Sequence, residues 1–308
     1  MRTALALALV MTIGCGGSSK PNTLGNQNTV KRDDLSLLPL DSEIVLGINI
    51  AQVQQSALWQ KFIVPMLGRG DLGQGLAELK RLCNIDVFAE TRSIAAGLKN
   101  LDRPAPESVF VVHGLRSDKV MACLANPTVA AELKKDNVEI VRDQDITLMR
   151  EPGTSNAAAL QFLDGDTLLV LVSANPTRAA VQALLDGKSS LKTSPAFAAM
   201  YEKLDPRASL WGLANGSASV LQKLQEVGAR PKAVFGTVNV TDRLTADVRM
   251  RLDTPDTAAQ VAAGMKQLAG MASAFVDSIE ITSEGSDVRF TVAMSEQKIV
   301  GLSQMGNF

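Results

Sequence analysis

The chain has 308 residues, a formal net charge of −1, 46% hydrophobic residues and 4% aromatic residues. The apolar share is enough for a globular core, and the balanced charge gives no electrostatic case for nucleic acid, whose binding needs a clustered basic face. One tyrosine and two tryptophans argue against the ring platforms on which sugars and unpaired bases stack.

Arg2 precedes an apolar run from Thr3 to Ile13 that ends in Thr12-Ile13-Gly14-Cys15. A charged start, a short apolar stretch and small residues at a cut point read as an export signal over 1–14. The run is shorter than the roughly 20 apolar residues of a membrane-spanning helix. Cys15 directly after Ile13-Gly14 resembles a bacterial lipobox, with Thr12 where leucine is more usual. That resemblance implies cleavage before Cys15 and acylation of its sulfur and new amino group. Several acyl chains hold a protein firmly at a membrane, where one chain binds only marginally. Gly16, in place of an aspartate, implies by the same resemblance the outer membrane of the cell envelope. Removing 1–14 takes Arg2 and no acidic residue, so the charge moves from −1 to −2. Residues 15–36 are rich in Gly, Ser and Asn and bury too little to order themselves, so they read as a flexible tether.

The folded part reads as α+β. Asp41–Asn49 is a strand leading into a helix over Gln55–Leu67, whose Leu58, Trp59, Phe62, Ile63, Met66 and Leu67 share one face expected to pack on a sheet. Ser93–Lys99 and Ser108–Leu115 form a hairpin, followed by a helix over Asp118–Ala125 and a strand pair over Val138–Met149. Ala158–Leu163 and Thr167–Ser173 pair around Asp164-Gly165-Asp166. Helices follow at Pro176–Leu185 and Pro195–Leu204. The later chain repeats the earlier order: a strand over Pro206–Ala214, strands over Ala233–Val240 and Leu244–Leu252, a helix over Pro255–Met271 and a strand pair over Ile279–Phe290. Gly47 and Gly212 fall in register. Each unit reads β-α-β-β-α-β-β, which predicts two repeated ferredoxin-like units with antiparallel sheets packed by helices. The expected boundaries are 37–190 and 191–308. Asn126-Pro127, Asn175-Pro176, Ser194-Pro195 and Thr254-Pro255 each set a capping side chain before a proline, and Gly187 marks a helix end.

Leu38-Pro39-Leu40-Asp41 before an apolar strand, Asp166–Ser173 before a helix, and Ser194-Pro195-Ala196-Phe197 before a second strand–helix start resemble uncharacterised bacterial envelope lipoproteins with duplicated α+β units. The resemblance covers most of residues 37–215 and implies no activity and no catalytic residues.

Motifs of chemistry are weak. Cys83 and Cys123, an even pair in an oxidising periplasm, are a candidate disulfide; the alternative is two buried free thiols. His113, the single histidine, lies within a strand and cannot build a His-rich metal site. Gly68-Arg69-Gly70-Asp71-Leu72-Gly73 matches G-x-G-x-x-G but follows a helix, where the phosphate fingerprint follows a strand. Ser189-Ser190-Leu191-Lys192 matches S-x-x-K without the rest of the acyl-transfer set. Asp143-Gln144-Asp145 and Asp164-Gly165-Asp166 read as hairpin tips before they read as calcium sites. No catalytic, cofactor or metal site is expected. The chain is expected to be a membrane-anchored lipoprotein without catalytic activity, serving as an envelope scaffold or binding module. It meets the membrane through its acyl chains and a protein partner or apolar ligand through its domain. The alternatives are a carrier with apolar cargo between the units and an unrecognised hydrolase using His113 or Ser189.

Overall fold

The computed structural model describes residues 33–67, 70–103, 105–155, 157–219, 221–222, 230–272 and 274–305. The expected export signal and lipidation site Cys15 lie outside the described residues. A 3-10 turn at Asp34–Ser36 opens the fold, with Asp33 accepting from the Leu35 N–H at 3.1 Å. The fold therefore begins ahead of the expected boundary after residue 36, because Leu35 already reaches the core. Strand β1 (Ile44–Ile48) leads into α1 (Ile50–Gln54), a π turn (Trp59–Ile63), α2 (Val64–Leu67), α3 (Gly70–Cys83) and α4 (Val87–Glu90). Strands β2 (Ser93–Lys99) and β3 (Glu107–His113) precede α5 (Ser117–Leu124) and α6 (Pro127–Lys135). Then come β4 (Glu139–Asp143), β5 (Ile146–Arg150), β6 (Ala157–Phe162) and β7 (Thr167–Val172), followed by α7 (Arg178–Asp186) and α8 (Pro195–Tyr201). The chain closes with β8 (Leu210–Asn215), β9 (Ala233–Val240), β10 (Arg243–Arg251), α9 (Pro255–Ala272), β11 (Ser278–Glu284), β12 (Asp287–Ser295) and α10 (Glu296–Met305).

All twelve strands join one open antiparallel sheet in the order β11-β12-β10-β9-β8-β1-β2-β3-β7-β6-β5-β4. From the central β1–β8 junction outward, the two sides read alike, apart from the β6–β7 hairpin set between β3 and β5. At the junction Leu46 faces Gly212 and Gly47 faces Trp211. In the sequence match Gly47 corresponds to Gly212 and Leu46 to Trp211, so a local twofold between these pairs exchanges them.

The ferredoxin-like plan is corrected by this order. Its first β-α-β crossover needs parallel strands, yet β1 and β2 are antiparallel neighbours. The reason is where the helical excursion ends. The Ala51 N–H donates to the Arg92 carbonyl at 3.0 Å, so the chain leaves and re-enters the sheet at one end, as a long hairpin does. A single helix spanning the sheet would have returned it parallel. That does happen at β10–α9–β11, where β12 lies between two parallel strands.

The expected helix over 55–67 is also broken, with α1 ending at Gln54 and the π turn starting at Trp59. Leu58 and Trp59 are buried, but Ile63 and Val64 are exposed, so only part of that stripe packs.

One sheet face carries Val45, Val109, Val111, Leu169, Leu171, Leu213 and Phe235. Leu35, Leu37 and Leu38 from the strap at 33–43 cover it, together with Leu191 and with Phe197 and Met200 of α8. The other face holds Ile94, Val112, Leu160, Leu168 and Val170. Beyond these, α3, α5 and α6 form a cluster around Leu79, Val120 and Leu133. At the far end α9 packs Ala258 and Ala262 on Met250, Ile281 and Val288.

Candidate functional site

Cys83 and Cys123 are joined, with Cα atoms 5.0 Å apart, tying α3 to α5. Both sulfurs sit in the helical cluster around Leu79. The pair is a structural staple at the periphery, away from the cavities of the sheet.

His113 ends β3 with both ring nitrogens engaged. Nε2 lies 2.9 and 3.0 Å from the Asp34 carboxylate oxygens, and Nδ1 lies 3.2 Å from the Thr167 hydroxyl. Register explains the row, since Ser93, His113 and Thr167 lie side by side on three paired strands. The histidine thus clamps the strap to the sheet. Ser189 lies at the other end of the strap, lining a different cavity. The structure does not bring together the two residues that a hydrolase reading relied on.

The remaining motifs fall into connections. Part of Gly68–Gly73 lies outside the described residues, and Gly70 onward belongs to α3. Ser189 precedes a 3-10 turn at Leu191–Thr193 instead of a helix start. Asp164 caps its own turn by accepting from the N–H groups of Asp166 and Thr167 at 2.9 and 2.7 Å. Asp143 and Asp145 both bind Arg178 at the start of α7. Among the described residues no cluster of three or more His, Cys, Asp or Glu could hold a metal. No described helix is long and apolar enough to cross a membrane.

Three features of the sheet can receive another molecule. The first is an apolar face. Across β1, β8, β9 and β10, the face opposite the strap presents only apolar side chains and glycine, because the alternation is unbroken: Leu46, Leu210, Val238 and Val248 all point this way. Leu46, Leu98, Leu210, Val238, Leu244, Val248 and Val292 are partly exposed and belong to none of the four buried clusters. Their neighbours on the opposite face are Thr237, Asp247, Arg249 and Arg289, so this half of the sheet is sharply two-sided. A solvated outer face is ordinary for an antiparallel sheet, but an apolar face calls for a cover.

The second feature is a cavity of about 330 Å³ between the strap, the sheet and α7. Leu37, Val109, Leu171, Ala180 and Leu184 line its depth. Lys99 stands at the mouth, 3.0 Å from Asp41 and 3.3 Å from Glu107.

The third is a polar cleft of about 900 Å³ at the other end of the strap. It is lined by the single tyrosine, the single histidine and one of the two tryptophans. Trp211 lies across Gly47, where a Cβ would fall 2.2 Å from its ring. Tyr201 meets Trp211 edge-on at 5.2 Å and stacks on Phe197 at 5.6 Å. Burial, and then the carboxylates of Asp33 and Asp34, push the Tyr201 hydroxyl pKa up, so it stays protonated and able to donate. Composition alone missed this cleft, because a count of rings says nothing about where they meet.

No family model and no curated protein sequence matches the chain. A solved structure described as crystal form III of TP0453 is similar to it, with a TM-score of 0.56 and 9% identity, covering 89% of this chain and 98% of that one. At that identity the likeness extends to the fold alone.

Proposed function

We propose that the chain is a lipid-anchored protein of the bacterial envelope that holds an apolar molecule against its sheet and performs no catalysis. Acylated Cys15 and the residues after it tether the domain to a membrane, and the lipids of that same bilayer supply the cargo. The single observation that carries the reading is the apolar face across β1, β8, β9 and β10, with partly exposed Leu46, Leu210, Val238 and Val248 outside every buried cluster. A surface without one polar group selects hydrocarbon, since any polar ligand atom placed there would lose its hydrogen bonds to water. Two halves that read alike around the junction support an origin by duplication, with the cargo face spanning both.

Native mass spectrometry of full-length protein purified from its own membrane tests this. Retained lipid is expected on the wild type and is expected to be lost in Leu210→Asp, whose carboxylate enters the apolar face. A wild type free of lipid, or a Leu210→Asp variant that folds and keeps its lipid, would sink the proposal. Metabolic labelling with an alkyne fatty acid tests the anchor separately: label surviving Cys15→Ala refutes it.

A further inference from the structure

The polar cleft beside the strap has an uneven hydrogen-bond inventory. Every carboxylate in it is engaged. Asp34 is held by His113, and Asp166 lies 2.8 Å from Arg92. Asp164 accepts two backbone N–H groups, and Asp33 accepts the Leu35 N–H and lies 3.5 Å from Lys192. By contrast, the Ser93 and Tyr201 hydroxyls and the Trp211 indole N–H make no hydrogen bond among the described residues and are not sealed away as buried, unsatisfied atoms. The open capacity is therefore donor-rich, and a matching ligand must bring acceptors.

Charge narrows the choice. Four carboxylates (Asp33, Asp34, Asp164 and Asp166) face two guanidiniums (Arg92 and Arg207), a surplus that repels anions. Topology narrows it further. The strands that reach the cleft (β1, β2, β3, β7 and β8) are all interior to the sheet, so no free edge is offered to an extended peptide. What remains is a neutral ligand with acceptor groups and weakly apolar C–H faces for the Trp211–Tyr201 pair and Leu35.

We propose that this cleft binds a neutral, acetamido-bearing sugar chain, whose carbonyl and hydroxyl oxygens accept from Tyr201, Trp211 and Ser93. Its ring faces and methyl groups pack on the partly exposed Tyr201, beside the buried Trp211. The scarcity of rings in the composition does not oppose this, because Phe197, Tyr201 and Trp211 are gathered at one place. This site lies on the strap face, opposite the apolar face, and stands or falls independently of the lipid proposal.

Calorimetric titration of the full-length protein with tri-N-acetylchitotriose tests it, with trigalacturonate and trialanine as anionic and peptide comparisons. Binding of the chitotriose alone is expected. Tyr201→Phe and Ser93→Ala, each with an unchanged thermal midpoint, should each weaken it about 2- to 10-fold, as loss of one hydrogen bond does; Trp211→Phe, which also removes packing from the buried core, should weaken it at least as much while lowering the midpoint. No binding by the wild type, tighter binding of trigalacturonate or trialanine, or affinity unmoved by all three substitutions would overturn the proposal.

Discussion

Removing the Cys83–Cys123 bond should cost the domain a large part of its stability. The bond closes a loop with a sequence separation of 40. In the chain-entropy treatment, a loop of that length denies the unfolded chain about 13 cal/mol/K, or about 4 kcal/mol at 25 °C. Domains of ordinary stability have about 5–15 kcal/mol in all, so the staple represents a quarter of that or more. The native contacts of Leu79, Val120, Leu124 and Leu133 do not depend on the bond and should survive its removal. The test is urea unfolding of full-length protein, followed by far-UV circular dichroism, comparing the oxidised wild type with Cys83→Ala/Cys123→Ala. The midpoint should fall by an amount matching about 4 kcal/mol, while the slope stays equal or rises as the unfolded chain expands. A loss under about 1 kcal/mol would refute the reasoning. So would reaction of Cys83 and Cys123 with a thiol reagent in unreduced, denatured protein.

Two further outcomes follow from individual residues. Asp287 is buried, at 1% exposure, and accepts from Arg251 at 2.8 Å and Lys203 at 2.6 Å. Burial opposes its ionisation, but Arg251 and Lys203 outweigh that and hold its pKa below the ordinary carboxylate value. Its stabilisation is thus present above about pH 4 and lost as pH falls through the depressed folded pKa. Asp287→Asn should cost about 2–4 kcal/mol at pH 7 in denaturant unfolding, with the gap to wild type closing in acid; equal stability at pH 7 would count against the pair. Gly47→Ala forces Trp211 from its seat, at about 1–3 kcal/mol, and should change the near-UV tryptophan signal. An unaltered spectrum would mean the ring does not rest there.

Local structure was largely legible in the sequence. Asn126 and Ser194 cap α6 and α8, each with proline at the start, and Gly187 ends α7 in the left-handed region at φ 66°. Asn175-Pro176 misled, because the Thr177 hydroxyl oxygen accepts from the Ala180 N–H and sets the start of α7 at Arg178. The β6–β7 hairpin and the strands β9 and β10 fall within a residue or two of their expected places. Sheet order was not legible, since it depends on which end of the sheet a helical excursion returns to, and Ala51–Arg92 decides that through one contact 41 residues apart in sequence. The polar cleft was illegible for the same reason: Asp34, His113, Thr167, Tyr201 and Trp211 come from five separate segments, and no spacing links them. The apolar face could have been found from the strict alternation of Val234, Gly236, Val238 and Val240 against Phe235, Thr237 and Asn239, had the alternation been followed across neighbouring strands.

The strap also decides how the domain bears load. Residues 37 and 38 are buried over the middle of the sheet, Leu40 donates its N–H to the Ser189 carbonyl, and β1 is a central strand. A pull arriving at residue 33 therefore enters the fold at its centre. To dislodge the strap it must shear Leu37 and Leu38 out of packed surroundings and break the Asp34–His113 clamp together with them. A tether attached at β4 or β11 would instead peel the sheet one strand at a time from an edge, each rung failing alone. Attachment at the centre would make the rungs on both sides of β1 resist in concert, as the proposed anchoring through the N-terminal side requires.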